Sequence, residues 1–196
     1  PYIRREAGDP RDALDRERYQ TVYAKEEGSI AAPTAGLHFT ETILADMAGR
    51  GIDVARLTLH VGPGTFLPIR TERVEDHRLD PEAFWLPAAT AEAVAACRAR
   101  GGRVVAVGTT VTRVLEWCGR EGAPLRPGPG WCDLLITPGH RLRVVDALLT
   151  NFHLPRTSLL VLVAAFAGRE RVLAAYAEAV ARGFRFYSYG DAMLVL

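Results

Sequence analysis

The chain is nearly without lysine. Lys25 is the single lysine among 24 basic residues and arginine supplies the rest, against 23 acidic residues, for a net charge of +1. That balance excludes a polybasic tail as the means of holding nucleic acid, and arginine favours bidentate contacts with phosphate or carboxylate. Cysteine is scarce as well. Cys97, Cys118 and Cys132 are odd in number, far apart and free of any CxxC pair, which excludes a disulfide or zinc framework and predicts reduced structural thiols. The five histidines show no HxH or HExxH spacing, so no metal site is expected. The longest apolar run is 159–167, far short of the ~18 residues that span a bilayer. The opening residues PYIRREAGDPRD are polar and lack a signal-peptide pattern, and the expectation is a cytoplasmic protein.

What is present is ordinary for a globular chain: 48% hydrophobic and 24% charged residues over 196 positions, enough to build a core without staples. Residues 1–15, punctuated by Pro1, Gly8 and Pro10, read as an irregular lead-in, and 16–196 as a single domain. The patterning predicts a short helix at 15–24, a small-residue loop at 28–39 and a helix capped by Thr40. A β-branched alternation predicts a strand at 52–61, followed by the turn GPGTF. An Ala-rich helix is expected at 87–100 and a buried strand at 103–108, feeding a helix that begins near Thr110. Residues 119–130 read as a Pro/Gly loop, with strands following at 132–137 and 141–145. A buried helix capped by Thr157 or Ser158, a helix at 170–182 and a strand at 192–196 complete the chain. Strands alternating with helices argue for an α/β layered domain with a largely parallel or mixed sheet flanked by helices. Ligands on such sheets sit at the carboxyl ends of strands, which directs attention to the loops at Gly62, Gly108 and Pro138.

Four groups of residues could carry chemistry. Gly108-Thr109-Thr110, with Arg113 one turn further on, places free N–H groups, two hydroxyls and a cation at a helix start; this suits an anion or a ribose, or is ordinary capping. It is neither a dinucleotide fingerprint nor a phosphate-binding P-loop. The histidines His38, His60 and His77 flank turns, where imidazole can act as acid or base or can hydrogen-bond structurally. In VVDALLTNFHLP, the polar residues Asp146, Asn151 and His153 lie between apolar runs and must find partners, in a ligand or in an internal network. In FRFYSYGDAML, aromatic residues interleaved with Arg185 suit base stacking or core packing, and Asp191 follows Gly190 in a turn. The residues alone specify an α/β domain with a polar ligand site and no particular reaction.

Taken in order, ERYQTVYA (17–24), AAPTAGLHF (31–39), TLHVGPGTF (58–66), EDHRL (75–79), RVVAVGTT (103–110), VVDALLTNFHLP (144–155), AFAG (165–168) and FYSYGDAML (186–194) carry a resemblance. The chain resembles the S-adenosylmethionine:tRNA ribosyltransferase-isomerase family of queuosine biosynthesis over essentially its whole length. The resemblance implies transfer and isomerisation of the ribosyl moiety of S-adenosylmethionine onto 7-aminomethyl-7-deazaguanine at the tRNA wobble position. Epoxyqueuosine forms, with adenine and methionine released, so S-adenosylmethionine is consumed as a ribosyl donor and no metal is needed. It implies catalytic candidates among His38, His60, His77 and His153, and substrate-binding candidates in Thr109, Thr110, Arg113, Asp146, Asn151 and Asp191. The expected partners are tRNA bearing that base and S-adenosylmethionine, with the chain a monomer and no membrane involved. The family usually reads GTTSVR where this chain has GTTVTR, so Val111 and Thr112 depart from the pattern. The family's N-terminal segment and inserted β-barrel are absent from these residues. The alternative expectation is thus a catalytically inactive α/β fragment that at most binds nucleoside or RNA.

Overall fold

A computed structural model of the chain describes residues 9–196. The first helix, α1 (Arg11–Arg18), starts four residues before the expected 15–24. Pro10 stands just ahead of it, where its fixed φ and missing N–H suit a helix start, so the tail of the expected irregular lead-in 1–15 is helical. A 3-10 turn, Thr34–His38, precedes α2 (Glu41–Gly49), whose capping residue Thr40 accepts a hydrogen bond from the Ile43 N–H at 3.2 Å.

Strand β1 (Thr58–Leu59) is much shorter than the expected 52–61. Ile52 and Val54 are exposed and have no neighbouring strand among the described residues, so the alternation is present without a ladder there. A 3-10 turn over Pro63–Phe66 leads on to β2 (Glu82–Leu86) and α3 (Ala88–Ala99). Strand β3 (Val105–Val107) runs through Gly108 into α4 (Thr109–Cys118), as its apolar run and glycine predict. Gly108 has φ 98°, a conformation that glycine adopts at no steric cost.

The expected loop at 119–130 contains the start of β4 (Gly128–Cys132). Its composition misleads because, among the described residues, β4 is an edge strand paired with β2 alone, where proline and glycine are tolerated. Gly130 faces Phe84, and any side chain at 130 would collide with that ring. The expected strand 132–137 therefore ends at Cys132. The expected strand 141–145 is absent for a different reason. The N–H groups of Arg143, Val144 and Val145 are taken by the Glu116 carboxylate at 2.8, 2.9 and 2.8 Å, so a side chain stands in for a neighbouring strand. The regular strand is instead β5 (Ala147–Asn151), followed by α5 (Ser158–Ala167), α6 (Arg169–Ala181) and β6 (Ala192–Val195).

Among the described residues the strands form two three-stranded sheets, an antiparallel β1-β2-β4 and a mixed β3-β5-β6. β3 and β5 are parallel, and β6 runs against β5 with Asn151 opposite Ala192. The domain is α/β with mixed sheets flanked by helices. Helix α4 touches β1, β3, β4, β5 and α5 and packs Val114 and Leu115 into a core that includes Phe84, Leu86, Ile136, Leu148 and Leu162. Each such side chain contributes roughly 1.5–3 kcal/mol by leaving water. The central helix also carries Arg113 and Glu116, both about 2% exposed, and these charges organise the loops around it.

Candidate functional site

The carboxyl ends of the parallel strands β3 and β5 lie at one edge of the mixed sheet, and β6 begins there. Gly108 closes β3 without a side-chain cap, leaving the first N–H groups of α4 beside the Thr109 and Thr110 hydroxyls. The Thr34–His38 turn packs on β5 and brings the Ala35 side chain to 4.0 Å from where a Cβ at Gly108 would stand. His38 ends that turn and is exposed.

Asn151 ends β5 and holds the loop that precedes β6. Its amide donates to the backbone oxygens of Tyr187 at 3.0 Å and Gly190 at 3.4 Å. Tyr187 has φ 72°, a left-handed conformation that costs a non-glycine residue of order 1 kcal/mol or more, and the Asn151 amide helps to hold it there. The Asn151 Oδ1 is buried and has no hydrogen-bond partner among the described residues. Asp191 Oδ2 accepts from the Arg185 N–H at 2.7 Å. That hydrogen bond lowers the carboxyl's pKa, and the Arg185 and His38 charges act in the same direction.

His153 lies two residues beyond β5. Its Nε2 is 2.8 Å from the Thr150 hydroxyl, and its N–H donates to the Tyr176 hydroxyl at 2.8 Å. Some of the residue remains solvent-accessible, yet the ring is enclosed by protein, and burial pushes its pKa down to about 4. Burial likewise pushes Tyr176 up to about 12. His153 is therefore a neutral imidazole at physiological pH, and Phe152 beside it packs against Tyr176, Phe184 and Phe186.

Thr109, Thr110, Asn151 and Asp191 share this edge, with His38 above it and His153 just beyond. Asp146 does not join them. It precedes β5, at the opposite end of a strand about 16 Å long, and its carboxylate is bound by Arg98 at 2.9 Å and the Val104 N–H at 2.7 Å. Arg113 points away as well. The expected counter-charge for a bound anion is paired with Glu82 at 2.6 Å, both side chains 2–3% exposed. The Nη1 that meets Glu82 also donates to Thr65 Oγ1 at 3.2 Å, and Nε and Nη2 donate to Leu134 O and Cys132 O at 3.0 and 3.3 Å. His77 follows the 3-10 turn Val74–Asp76, and its Nε2 is buried without a hydrogen-bond partner among the described residues.

His60 belongs to a second concavity. Its N–H donates to Ala83 O at 2.9 Å, and its ring lies against Gly28, where a Cβ would meet Nδ1 at 2.8 Å. The 28–31 segment docks on the end of β1: Ser29 Oγ accepts from the Val61 N–H at 3.0 Å, and the Ile30 N–H donates to Val61 O at 3.2 Å. The turn that follows is held from below by Glu82, which accepts from the Gly62 N–H at 2.9 Å and the Thr65 hydroxyl at 2.7 Å. An open groove of about 340 Å³ results, lined by His60, Gly62, Gly64, Asp80, Glu82 and Trp131 among others.

Reading the sequence missed Glu82, Asp80 and Trp131. The lone acid heading the apolar run EAFWL was the available signal for Glu82. Nothing local marks the other two. Among the described residues, no group of three or more His, Cys, Asp or Glu is placed to hold a metal ion, and no helix is long and apolar enough to cross a membrane.

Polar groups gather at the carboxyl edge of the parallel strands, beside a helix start without a side-chain cap, the position at which α/β sheets in general take up ligands. A family model described as "Queuosine biosynthesis protein" matches residues 1–195, and the chain belongs to that family. Two relatives carry the name S-adenosylmethionine:tRNA ribosyltransferase-isomerase. One, from Geobacter sulfurreducens, is 58% identical over 195 residues, covering 100% of this chain and 56% of its own length. The other, from Anaeromyxobacter sp. (strain K), is 61% identical over 196 residues, covering 100% and 55%. The crystal structure of an S-adenosylmethionine tRNA ribosyltransferase from Thermotoga maritima superposes with a TM-score of 0.67 at 42% identity, over 83% of this chain and 51% of that one. The chain spans about half the length of the curated relatives it matches.

Proposed function

We propose that this chain is the nucleoside-holding part of an S-adenosylmethionine-dependent tRNA-modifying transferase-isomerase of queuosine biosynthesis, acting in the cytoplasm. The reaction moves the ribosyl moiety of S-adenosylmethionine onto 7-aminomethyl-7-deazaguanine at the tRNA wobble position and gives epoxyqueuosine, adenine and methionine. The 196 residues by themselves bind nucleoside or RNA without turnover.

The observation that carries this reading is the family match, continuous over residues 1–195 yet covering only 55–56% of the relatives' length. The site chemistry supports the same division. The edge formed by Thr109, Thr110, Asn151 and Asp191 offers hydroxyls, backbone N–H groups, an unpartnered amide oxygen and a carboxylate, which suit ribose and amine groups. Two residues that the reaction was expected to use are committed elsewhere: the Arg113 charge to Glu82, and the His153 ring to a neutral, hydrogen-bonded state. In this reading His38, His60 and His77 remain as acid–base candidates and Arg113 is a positioning residue.

The test incubates the chain with S-adenosylmethionine and tRNA carrying the deazaguanine precursor, with a full-length relative in parallel. Calorimetry is expected to show nucleoside binding by the chain, and adenine to accumulate only with the relative. Adenine release by the chain alone would overturn the absence of turnover. Failure to bind both S-adenosylmethionine and the tRNA would overturn the assignment as the nucleoside-holding part.

A further inference from the structure

We propose that the groove beneath His60 seats the sulfonium centre of S-adenosylmethionine, with Asp80 as its counter-charge and Trp131 as its aromatic wall. The inference rests on the reading above and goes beyond it by assigning a place and a charge logic to one part of the ligand.

Size and charge both favour this occupant. The volume of about 340 Å³ lies at the small end of the range for ligand sites, roughly 300–1,000 Å³. Neither Lys nor Arg is among the described residues that line it. Of its two acids, Glu82 is neutralised by Arg113 and spent on Gly62 and Thr65. Asp80 is different: it is exposed and has no hydrogen bond or ion pair among the described residues. Its Oδ2 lies 2.5 Å from where a Cβ at Gly64 would stand, so the absence of a side chain there is what admits the carboxylate to the groove wall. Trp131, 64% exposed, adds an indole whose face attracts cations. An anion would meet the Asp80 charge, while the Gly62 N–H that could have received it is already bonded to Glu82. A free carboxylate beside an aromatic face, on a glycine-lined floor, recognises a small organic cation.

Gly62 makes the proposal testable without disturbing the fold. Its φ and ψ of −90° and 173° are open to any residue, and a Cβ there would have nothing within 4 Å. A side chain at 62, a residue that lines the groove, therefore meets no other atom of the protein at its Cβ while the N–H to Glu82 is retained. S-adenosylmethionine and S-adenosylhomocysteine share their adenosine, amine and carboxylate and differ at sulfur in one methyl and one charge. Comparing the two isolates the sulfonium.

The experiment titrates both ligands into the chain by calorimetry, for the unchanged protein, Asp80→Asn and Gly62→Val. The expected result is a preference for the sulfonium of about tenfold in the unchanged chain. Asp80→Asn should abolish that preference and leave S-adenosylhomocysteine binding as it was. Gly62→Val should weaken S-adenosylmethionine about tenfold or more with the unfolding midpoint unchanged. If Asp80→Asn keeps the preference, or weakens both ligands equally, or if Gly62→Val binds like the unchanged chain, this proposal falls and the reading of the chain as nucleoside-holding stands. If the unchanged chain binds neither ligand, the present proposal falls together with nucleoside binding by these residues.

Discussion

Glu82 shows what one buried charge does in this molecule. Its two oxygens accept from Arg113, the Gly62 N–H and the Thr65 hydroxyl, so a single carboxylate ties the central helix to the turn that floors the groove. Removing one partner of such a pair leaves an uncompensated charge in a dry interior, which costs more than losing both. Glu82→Gln is therefore expected to destabilise the chain by about 3–5 kcal/mol. Glu82→Leu combined with Arg113→Met should cost less than the sum of the two single changes. It should still be destabilising, because Gly62 and Thr65 lose their acceptor at about 1–3 kcal/mol for each buried group left unmade. Denaturant unfolding of Glu82→Gln, Glu82→Leu, Arg113→Met and the double variant checks this, and strict additivity of the last three would show that the two side chains are not coupled. Glu116 plays the parallel role in the core by receiving three successive backbone N–H groups. Neither role is local in the chain, since Glu82 reaches partners 17, 20 and 31 residues away.

At the level of elements, the helices declare themselves and most of the strands do not. Thr40 and Thr157 each precede a helix and accept the third following N–H, from Ile43 at 3.2 Å and Leu160 at 3.3 Å, the geometry that a threonine cap predicts. Their energetic weight should differ. Helix α2 has no buried residue, whereas α5 buries Ser158, Leu159, Leu162 and Val163, and the Thr157 hydroxyl also donates to Leu154 O at 2.7 Å. Thr157→Ala is expected to cost about 1–2 kcal/mol and Thr40→Ala about half that, read from urea unfolding midpoints; equal losses would show that helix packing adds nothing to the cap. Strand β3 and the turn at Gly108 were legible because an apolar run ending in glycine leaves few alternatives, and β6 because a short apolar run follows the Gly190-Asp191 turn. β4 was not, because GPGWC has loop composition and becomes a strand only by adding to the edge of β2. The stretch 141–145 failed in the opposite sense, its strand-like sequence satisfied by a carboxylate.

Over the whole molecule, acid should act through groups at the carboxyl edge. The unfolded chain binds a proton at His153 with an ordinary pKa near 6.5, whereas the folded chain does so only near 4. Between those values the unfolded state holds more protons, so stability is intact above about pH 6.5 and falls as the pH drops toward 4. The loss is on the order of 3 kcal/mol once both states are protonated. Asp191, whose carboxyl pKa is lowered, acts with the same sign at lower pH. Urea midpoints between pH 7 and 4 should therefore decline, and His153→Gln should flatten the upper part of that decline; an unaltered slope would show that His153 is not the group responsible. By itself the sequence determined the class of fold, the family, the helix caps and the turn that opens α4, because those depend on residues within a few positions of one another and on ordered motifs along the chain. Only the tertiary structure decided which candidate residues meet. It gathered Thr109, Thr110, Asn151 and Asp191 at one edge, sent Asp146 to the other end of β5, and spent Arg113 on Glu82. The physical reason is that a buried charge must find its partner wherever the packing of two sheets around α4 brings one, and no local pattern records that choice.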